Sequence, residues 1–222
     1  MRVFVIALAL GALAAPSPAQ ELLEHQRRQD ARKHYRAGEE YMLSEAFEQA
    51  AREFKAATEL DPNFVLAYYS LGQARMALKQ YPGAVVAYTS CRDLILREIS
   101  LDGRAKGEMD RQRRDERLSV MKDQLGRENQ GGVQVPAEVS LGLGSAYFRL
   151  NQMDEAERNY RAAIAVDGKM GEAHNNLAVI YMLTGRLEEA GREIQAAEKA
   201  GFTVSSQFKQ DLKQRLTAKT KS

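Results

Sequence analysis

The sequence predicts an all-α protein built as a solenoid of antiparallel helix pairs, and three observations predict it. The composition has five prolines and no tryptophan and is rich in Ala, Leu, Glu, Arg and Gln, which favours helix over strand. Small and aromatic residues recur in fixed columns every 34 residues, the mark of a stacked structural unit. Asp61-Pro62 interrupts a helical pattern on both sides, because Pro62 lacks an amide hydrogen and clashes with the preceding turn.

The chain opens differently from the rest. Arg2 is followed by the apolar run 3–15 and then by Pro16-Ser17-Pro18-Ala19, whose small residues suit a signal peptidase. Thirteen residues at ~1.5 Å each reach roughly 20 Å, short of a ~30 Å hydrocarbon core. Residues 1–19 are therefore expected to be a cleaved secretory signal, with an uncleaved N-terminal anchor as the alternative. No other segment reads as membrane-spanning, so none is expected after signal removal, and the protein is expected to be exported, periplasmic or secreted. Cys91 is the single cysteine of the chain, so no internal disulfide can form and the fold must rest on its helices.

From residue 31 the chain falls into blocks 31–64, 65–98, 137–170 and 171–204. One column holds Gly38, Gly72, Gly144 and Ala178, and another holds Ala50, Ala84, Ala156 and Ala190. Tyr41, Tyr147 and Tyr181 align, with Arg75 as the exception. Phe54, Tyr88, Tyr160 and Ile194 form a later column, followed by Ala57, Cys91, Ala163 and Ala197. Cys91 thus occupies an alanine slot, which favours a buried apolar role over a reactive thiol. The first small residue, the aromatic three later and the leucine before it (Leu71, Leu143, Leu177) share one face of a first helix. The alanine and the aromatic four later share one face of a second helix. Small residues let two backbones approach, and the ring fills the space beside them.

These residues resemble the tetratricopeptide repeat. "YYSLGQARMALKQYPGAVVAY" (68–88), "VSLGLGSAYFRLNQMDEAERNY" (139–160) and "HNNLAVIYMLTGRLEEAGREI" (174–194) each carry the family's pattern over nearly a full unit. The resemblance implies a right-handed α-solenoid, with Asp61-Pro62 closing the first unit. Two departures are visible: Gly168 replaces the expected proline, and His34, Tyr68, Ser140 and His174 fill the place where tryptophan-type residues open a unit.

The organisation follows: residues 20–98 hold an N-terminal helix and units 1 and 2, residues 137–204 hold units 3 and 4, and 99–136 are an insertion. Tyr88, Cys91, Ile95 and Ile99 continue the second unit's second helix beyond its usual end. Asp102-Gly103 then reads as a turn, and 104–128 as a charged helix with the apolar line Leu118, Met121 and Leu125. That predicts an inserted helical hairpin. At the other end, Phe208, Leu212 and Leu216 recur at i, i+4 and i+8, so 205–222 is expected to be a capping helix and tail.

Composition and motifs argue against chemistry. Basic and acidic residues nearly balance, 32 against 30, and the basic residues of 104–117 are interleaved with acids, so a nucleic-acid partner is not expected. His25, His34 and His174 show no metal-ligand spacing, no phosphate loop or GxSxG is present, and no catalytic residue, metal or cofactor is assigned. Asp154-Glu155 and Glu188-Glu189 fall at starts of second helices, where negative charge complements the dipole.

The resemblance places first helices along an inner groove. The candidate partner-binding residues there are Tyr35, Tyr69, Gln73, Met76, Phe148, Asn175, Asn176, Val179 and Met182. Asn176 stands where the family often grips a peptide backbone; its amide both donates and accepts, though it could equally bond a neighbouring helix. Tyr35, Glu39 and Ser70 stand where a clamp for C-terminal carboxylates would place basic and amide groups. The expected function is a non-enzymatic scaffold or adaptor in a bacterial-type cell envelope, binding a partner's peptide or helix. The alternatives are a protein that self-associates through 104–128 and a ligand-carrying accessory protein.

Overall fold

A computed structural model describes residues 17–102 and 134–219. Among the described residues every regular element is a helix: α1 (Pro18–Leu43), α2 (Phe47–Leu60), α3 (Val65–Ala77), α4 (Tyr81–Asp102), α5 (Ala137–Arg149), α6 (Met153–Val166), α7 (Gly171–Leu183), α8 (Leu187–Lys199) and α9 (Ser206–Lys219). Consecutive helices pack as hairpins α1/α2, α3/α4, α5/α6 and α7/α8, and each second helix also packs on the first helix of the next hairpin. This is the expected all-α tetratricopeptide-like solenoid. The insertion does not interrupt the stack, since α4 lies directly against α5. The N-terminal run 1–16 and the charged stretch 104–128 lie outside the described residues.

Each hairpin turns in the same way. Glu45, Lys79, Asn151 and Gly185 occupy one place in the four units, and all four have positive φ, between 56° and 75°. The next residue's N–H then reaches back to a first-helix carbonyl: Ala46 to Tyr41 at 2.8 Å, Gln80 to Arg75 at 2.8 Å, Gln152 to Tyr147 at 2.9 Å and Arg186 to Tyr181 at 2.8 Å. A left-handed residue closing such a bond satisfies carbonyls left open at a helix end. Three of the four second helices start without a side-chain cap but carry acid in their first turn, Glu48 in α2, Asp154 and Glu155 in α6, and Glu188 and Glu189 in α8, whereas α4 has none there. Those carboxylates offset the positive end of the helix, the structural role expected for the acidic pairs.

The hairpins are held close by rings lying on glycines. A Cβ built on Gly38 would come within 2.5 Å of the Phe54 ring, one on Gly72 within 2.6 Å of Tyr88, and one on Gly144 within 2.6 Å of Tyr160. In the fourth hairpin the larger Ala178 faces the smaller Ile194 in the same core cluster. The alanine columns are buried throughout, and so is Cys91, whose thiol burial pushes up to about 12. That thiol is a packing residue.

The first-helix aromatic column behaves less uniformly than expected. Tyr181 is buried, Tyr147 is half-buried, and Tyr41 is 39% exposed. The column packs on the second helix of the hairpin before it, and α1/α2 has none before it. Arg75, the exception in the column, donates from Nη1 to the Gly83 carbonyl at 2.9 Å. At the α6/α7 junction the Tyr181 hydroxyl accepts from Arg161 Nε (3.1 Å) and Nη2 (2.7 Å), while the Arg186 guanidinium lies 4.3 Å above the ring centroid. Glu157 accepts from Arg186 Nη1 at 3.1 Å and pairs with Arg161 at 2.9 Å. The Arg186 hydrogen bond, helped by the charges of Arg161 and Arg186, holds the Glu157 carboxyl below the usual range.

α4 runs 22 residues where α3 and α5 run 13, carried onward by Ile95 and Ile99. α9 covers the last hairpin with buried Leu212, flanked by Phe208 and Leu216.

Three substitutions test this packing. Gly72→Ala forces a methyl into the Tyr88 ring and should lower the unfolding free energy by about 1–3 kcal/mol. Gly168→Ala meets nothing nearer than the Ile164 carbonyl at 3.8 Å and should be neutral or slightly stabilising, as denaturant titration would show. Glu157 should contribute stability that is fully present above its unfolded-state value and is lost as pH falls through its depressed folded value. Thermal melts should therefore place Glu157→Gln below wild type near neutrality, with the gap closing in the acid range below about pH 4.

Candidate functional site

First helices use one face for their own hairpin and leave another as an inner stripe. At the fourth place beyond the start of each block stand Tyr35, Tyr69, Leu141 and Asn175; the next place holds Arg36, Ser70, Gly142 and Asn176. The Tyr69 hydroxyl on α3 feels the carboxylates of Glu138 on α5 and Glu172 on α7. Burial is the larger effect, and together they push Tyr69 up to about 12. Tyr69 leans on Tyr88 with ring centroids 5.8 Å apart.

Tyr35 is the matching residue of the first unit. It is half-buried, with its ring 5.6 Å from Phe54 and 5.0 Å from Phe64. Burial pushes its hydroxyl up to about 12, Glu39 adds to the shift, and a hydrogen bond with Ser70 works against it. Gln73 is exposed and Val179 half-buried on the same stripe.

Met76, Phe148 and Met182 share a column turned partly toward the packing. Met76 rests on the cluster of Ala84, Tyr88, Leu143 and Ala146, and Phe148 on the C-terminal core. Met182 is 5% exposed, and Arg215 of α9 reaches its carbonyl at 3.4 Å. The expectation that Met182 lines an open groove fails for that reason: the cap covers the end of α7.

Asn175 and Asn176 lie side by side, with Asn175 Nδ2 3.5 Å from Asn176 Oδ1. The Tyr160 hydroxyl, 3.3 Å from Ser145 Oγ, also engages Asn176. Burial raises Tyr160, and both Ser145 and Asn176 oppose that shift. Asn176 thus contacts a second-helix residue of the preceding hairpin while remaining partly exposed.

The structure adds residues that sequence reasoning missed. The Tyr88 and Tyr160 rings reach from second helices into the inner face between neighbouring first helices. Tyr88 lies between Gly72 and Gly142, where an added Cβ on Gly142 would be 2.7 Å from Tyr88 Cζ. The available signal was Gly142 breaking the Ser70, Asn176 column, and the pair Glu138, Glu172 recurring 34 residues apart.

The histidines have structural partners. His34 Nδ1 and Glu53 Oε2 are 2.7 Å apart, and His174 Nδ1 and Glu193 Oε2 are 2.6 Å apart. These pairs tie first to second helix in the first and fourth hairpins. No group of three or more potential metal ligands occurs among the described residues. No described helix is long and apolar enough to cross a membrane.

A family profile described as tetratricopeptide repeat matches residues 141–201, and one described as TPR repeat matches residues 38–79. A comparison with curated protein sequences returned no match. Among solved structures, the crystal structure of MamA is similar at a TM-score of 0.58 and 17% identity, over 82% of this chain and 83% of that one. The first TPR of Spaghetti (RPAP3) bound to HSP90 peptide SRMEEVD is similar at 0.52 and 16% identity, over 71% of this chain and 95% of that one. The Arabidopsis OM64 TPR domain is similar at 0.50 and 12% identity, over 70% and 98% of the two chains. At such identities the likeness concerns the fold. With repeat profiles matching on both sides of the insertion, one turn repeated through four hairpins and one ring column through three of them, the chain is a tetratricopeptide-repeat protein.

Proposed function

We propose that the protein is a non-enzymatic adaptor whose inner face binds a peptide or helix of a partner protein, and that it works after export in a bacterial-type cell envelope. The repeats and the fold are those of a protein-interaction scaffold. The observation that carries the reading is the half-buried pair Tyr35 and Tyr69, on successive first helices with their rings backed by Phe54 and Tyr88. Aromatic side chains held in place by packing offer contact area at little entropic cost.

A structural neighbour holding an HSP90 peptide supports a polypeptide ligand. The peptide class differs here, since Tyr35, Glu39 and Ser70 occupy the places where a carboxylate clamp would set basic and amide groups. A mixed polar and aromatic face suits an extended segment or an amphipathic helix. The envelope location rests on Arg2, the apolar run 3–15 and the small residues ending at Ala19.

Crosslinking in intact cells, followed by mass spectrometry of captured proteins, tests both parts. Tyr69→Ala should reduce capture of the partner by roughly tenfold or more, the loss expected of a central aromatic contact. The captured adaptor itself should begin at Gln20. Unchanged capture by Tyr69→Ala, with loss on deleting 104–128, would move the interface to the insertion.

A further inference from the structure

The junction of the second and third hairpins holds a notch at Gly142. Where unit 2 has Ser70 and unit 4 has Asn176, Gly142 has no side chain, and the residue is not fully covered. Tyr88 Cζ lies 2.7 Å from the point where a Cβ would stand. The outer end of the Tyr88 ring therefore fills the space a Cβ at 142 would take and floors the notch, with the hydroxyl carried on Cζ beside it.

That hydroxyl is unusual. Tyr88 is 4% exposed, yet its oxygen has no hydrogen-bond partner among the described residues. The comparable Tyr160 has Ser145 and Asn176. Leaving a buried hydroxyl unsatisfied is costly, so a group arriving at the notch with a hydrogen to donate gains more than surface contact.

The surroundings define that group. The Tyr69 ring stands 5.8 Å from the Tyr88 ring at 57°, presenting π-electron density beside the notch. Glu138 and Glu172 both act electrostatically on the Tyr69 hydroxyl, and both make its ionisation harder, as negative charge nearby must. Two phenol oxygens, two carboxylates and the face of a ring are acceptors and partners for a cation. A phenol can also donate, but the two carboxylates and the ring face repel an anion, so the balance of the site favours a cation.

We propose that the Gly142 notch is a subsite for a cationic side chain, lysine or arginine, on the bound protein segment. The ammonium or guanidinium donates to the Tyr88 hydroxyl, lies against Tyr69 and is balanced by Glu138 and Glu172. This deepens the reading of the inner face as a peptide groove and rests on it. It assigns the groove a basic ligand, the reverse of the acidic SRMEEVD segment seen on a structural neighbour.

The test is selection of a displayed random heptapeptide library on the full chain, followed by titration of labelled winners. A lysine or arginine flanked by apolar residues should be enriched at one position. Replacing that residue by the neutral isostere citrulline or by norleucine should weaken binding about tenfold or more, the loss expected for a charge-assisted contact. Glu138→Gln combined with Glu172→Gln should erase the preference for the cation while neutral peptides still bind. Tyr88→Phe, which keeps the ring that fills Gly72 and Gly142, should weaken cationic peptides selectively. Enriched peptides that are neutral or acidic at every position, or cationic peptides indifferent to the double Gln variant, would overturn the subsite and leave the groove standing. Failure to enrich any peptide over a Tyr69→Ala control would overturn both.

Discussion

A flat ring lying on the bare backbone of a glycine is the contact on which the rest depends. In three of the four hairpins an aromatic from the second helix rests where a first-helix Cβ would otherwise be: Phe54 on Gly38, Tyr88 on Gly72 and Tyr160 on Gly144. The fourth hairpin keeps the sum by a different division, Ala178 with Ile194. Helix separation is set by the side chains at the crossing, so holding their combined size constant holds every hairpin to one spacing. Uniform hairpins then stack by the same surfaces each time. The alanine columns, with Cys91 among them, permit that repetition because a small buried residue leaves the neighbouring backbone close.

The same rings extend the account from packing to function. Tyr88 spans two hairpins, bearing on Gly72 in its own and on Gly142 in the next, and so carries the stack past the insertion. Its ring must pass between first helices to do so, which brings the hydroxyl-bearing end of the ring beside Gly142. Tyr160 does likewise beneath Asn176. A side chain chosen for packing thus brings a polar atom to the floor of the groove, and what surrounds that atom decides its role. Ser145 and Asn176 satisfy Tyr160, whereas Gly142 leaves Tyr88 open. The inner face is therefore uneven along its length although the backbone beneath it is regular.

Much of the fold was readable from residues alone. The 34-residue columns fixed the hairpins, Ile95 and Ile99 announced the long α4, and Phe208, Leu212 and Leu216 drew the buried face of α9. The shared turn was hidden because three of its left-handed positions are Glu45, Lys79 and Asn151, and the glycine signal survives at Gly185 alone. The pairing of each glycine of the column with a ring sixteen positions later could not be read from single-helix faces, since it crosses the turn. Tyr41 showed that a column residue needs a preceding hairpin to be covered. Of the groove, Tyr35 and Tyr69 were visible as aromatics at a recurring place. Met182 was misplaced because α9 covers it, and the roles of Tyr88 and Gly142 required knowing that α4 packs directly on α5.

The central claim concerns complementary size, and a double-mutant cycle in the third hairpin measures it. Gly144→Ala and Tyr160→Ile together copy the fourth hairpin's pair into the third. The account predicts that Gly144→Ala is destabilising by about 1–3 kcal/mol beside Tyr160 and neutral or stabilising beside isoleucine, giving a coupling of at least about 1 kcal/mol in denaturant unfolding. Additive effects of the two substitutions would contradict it.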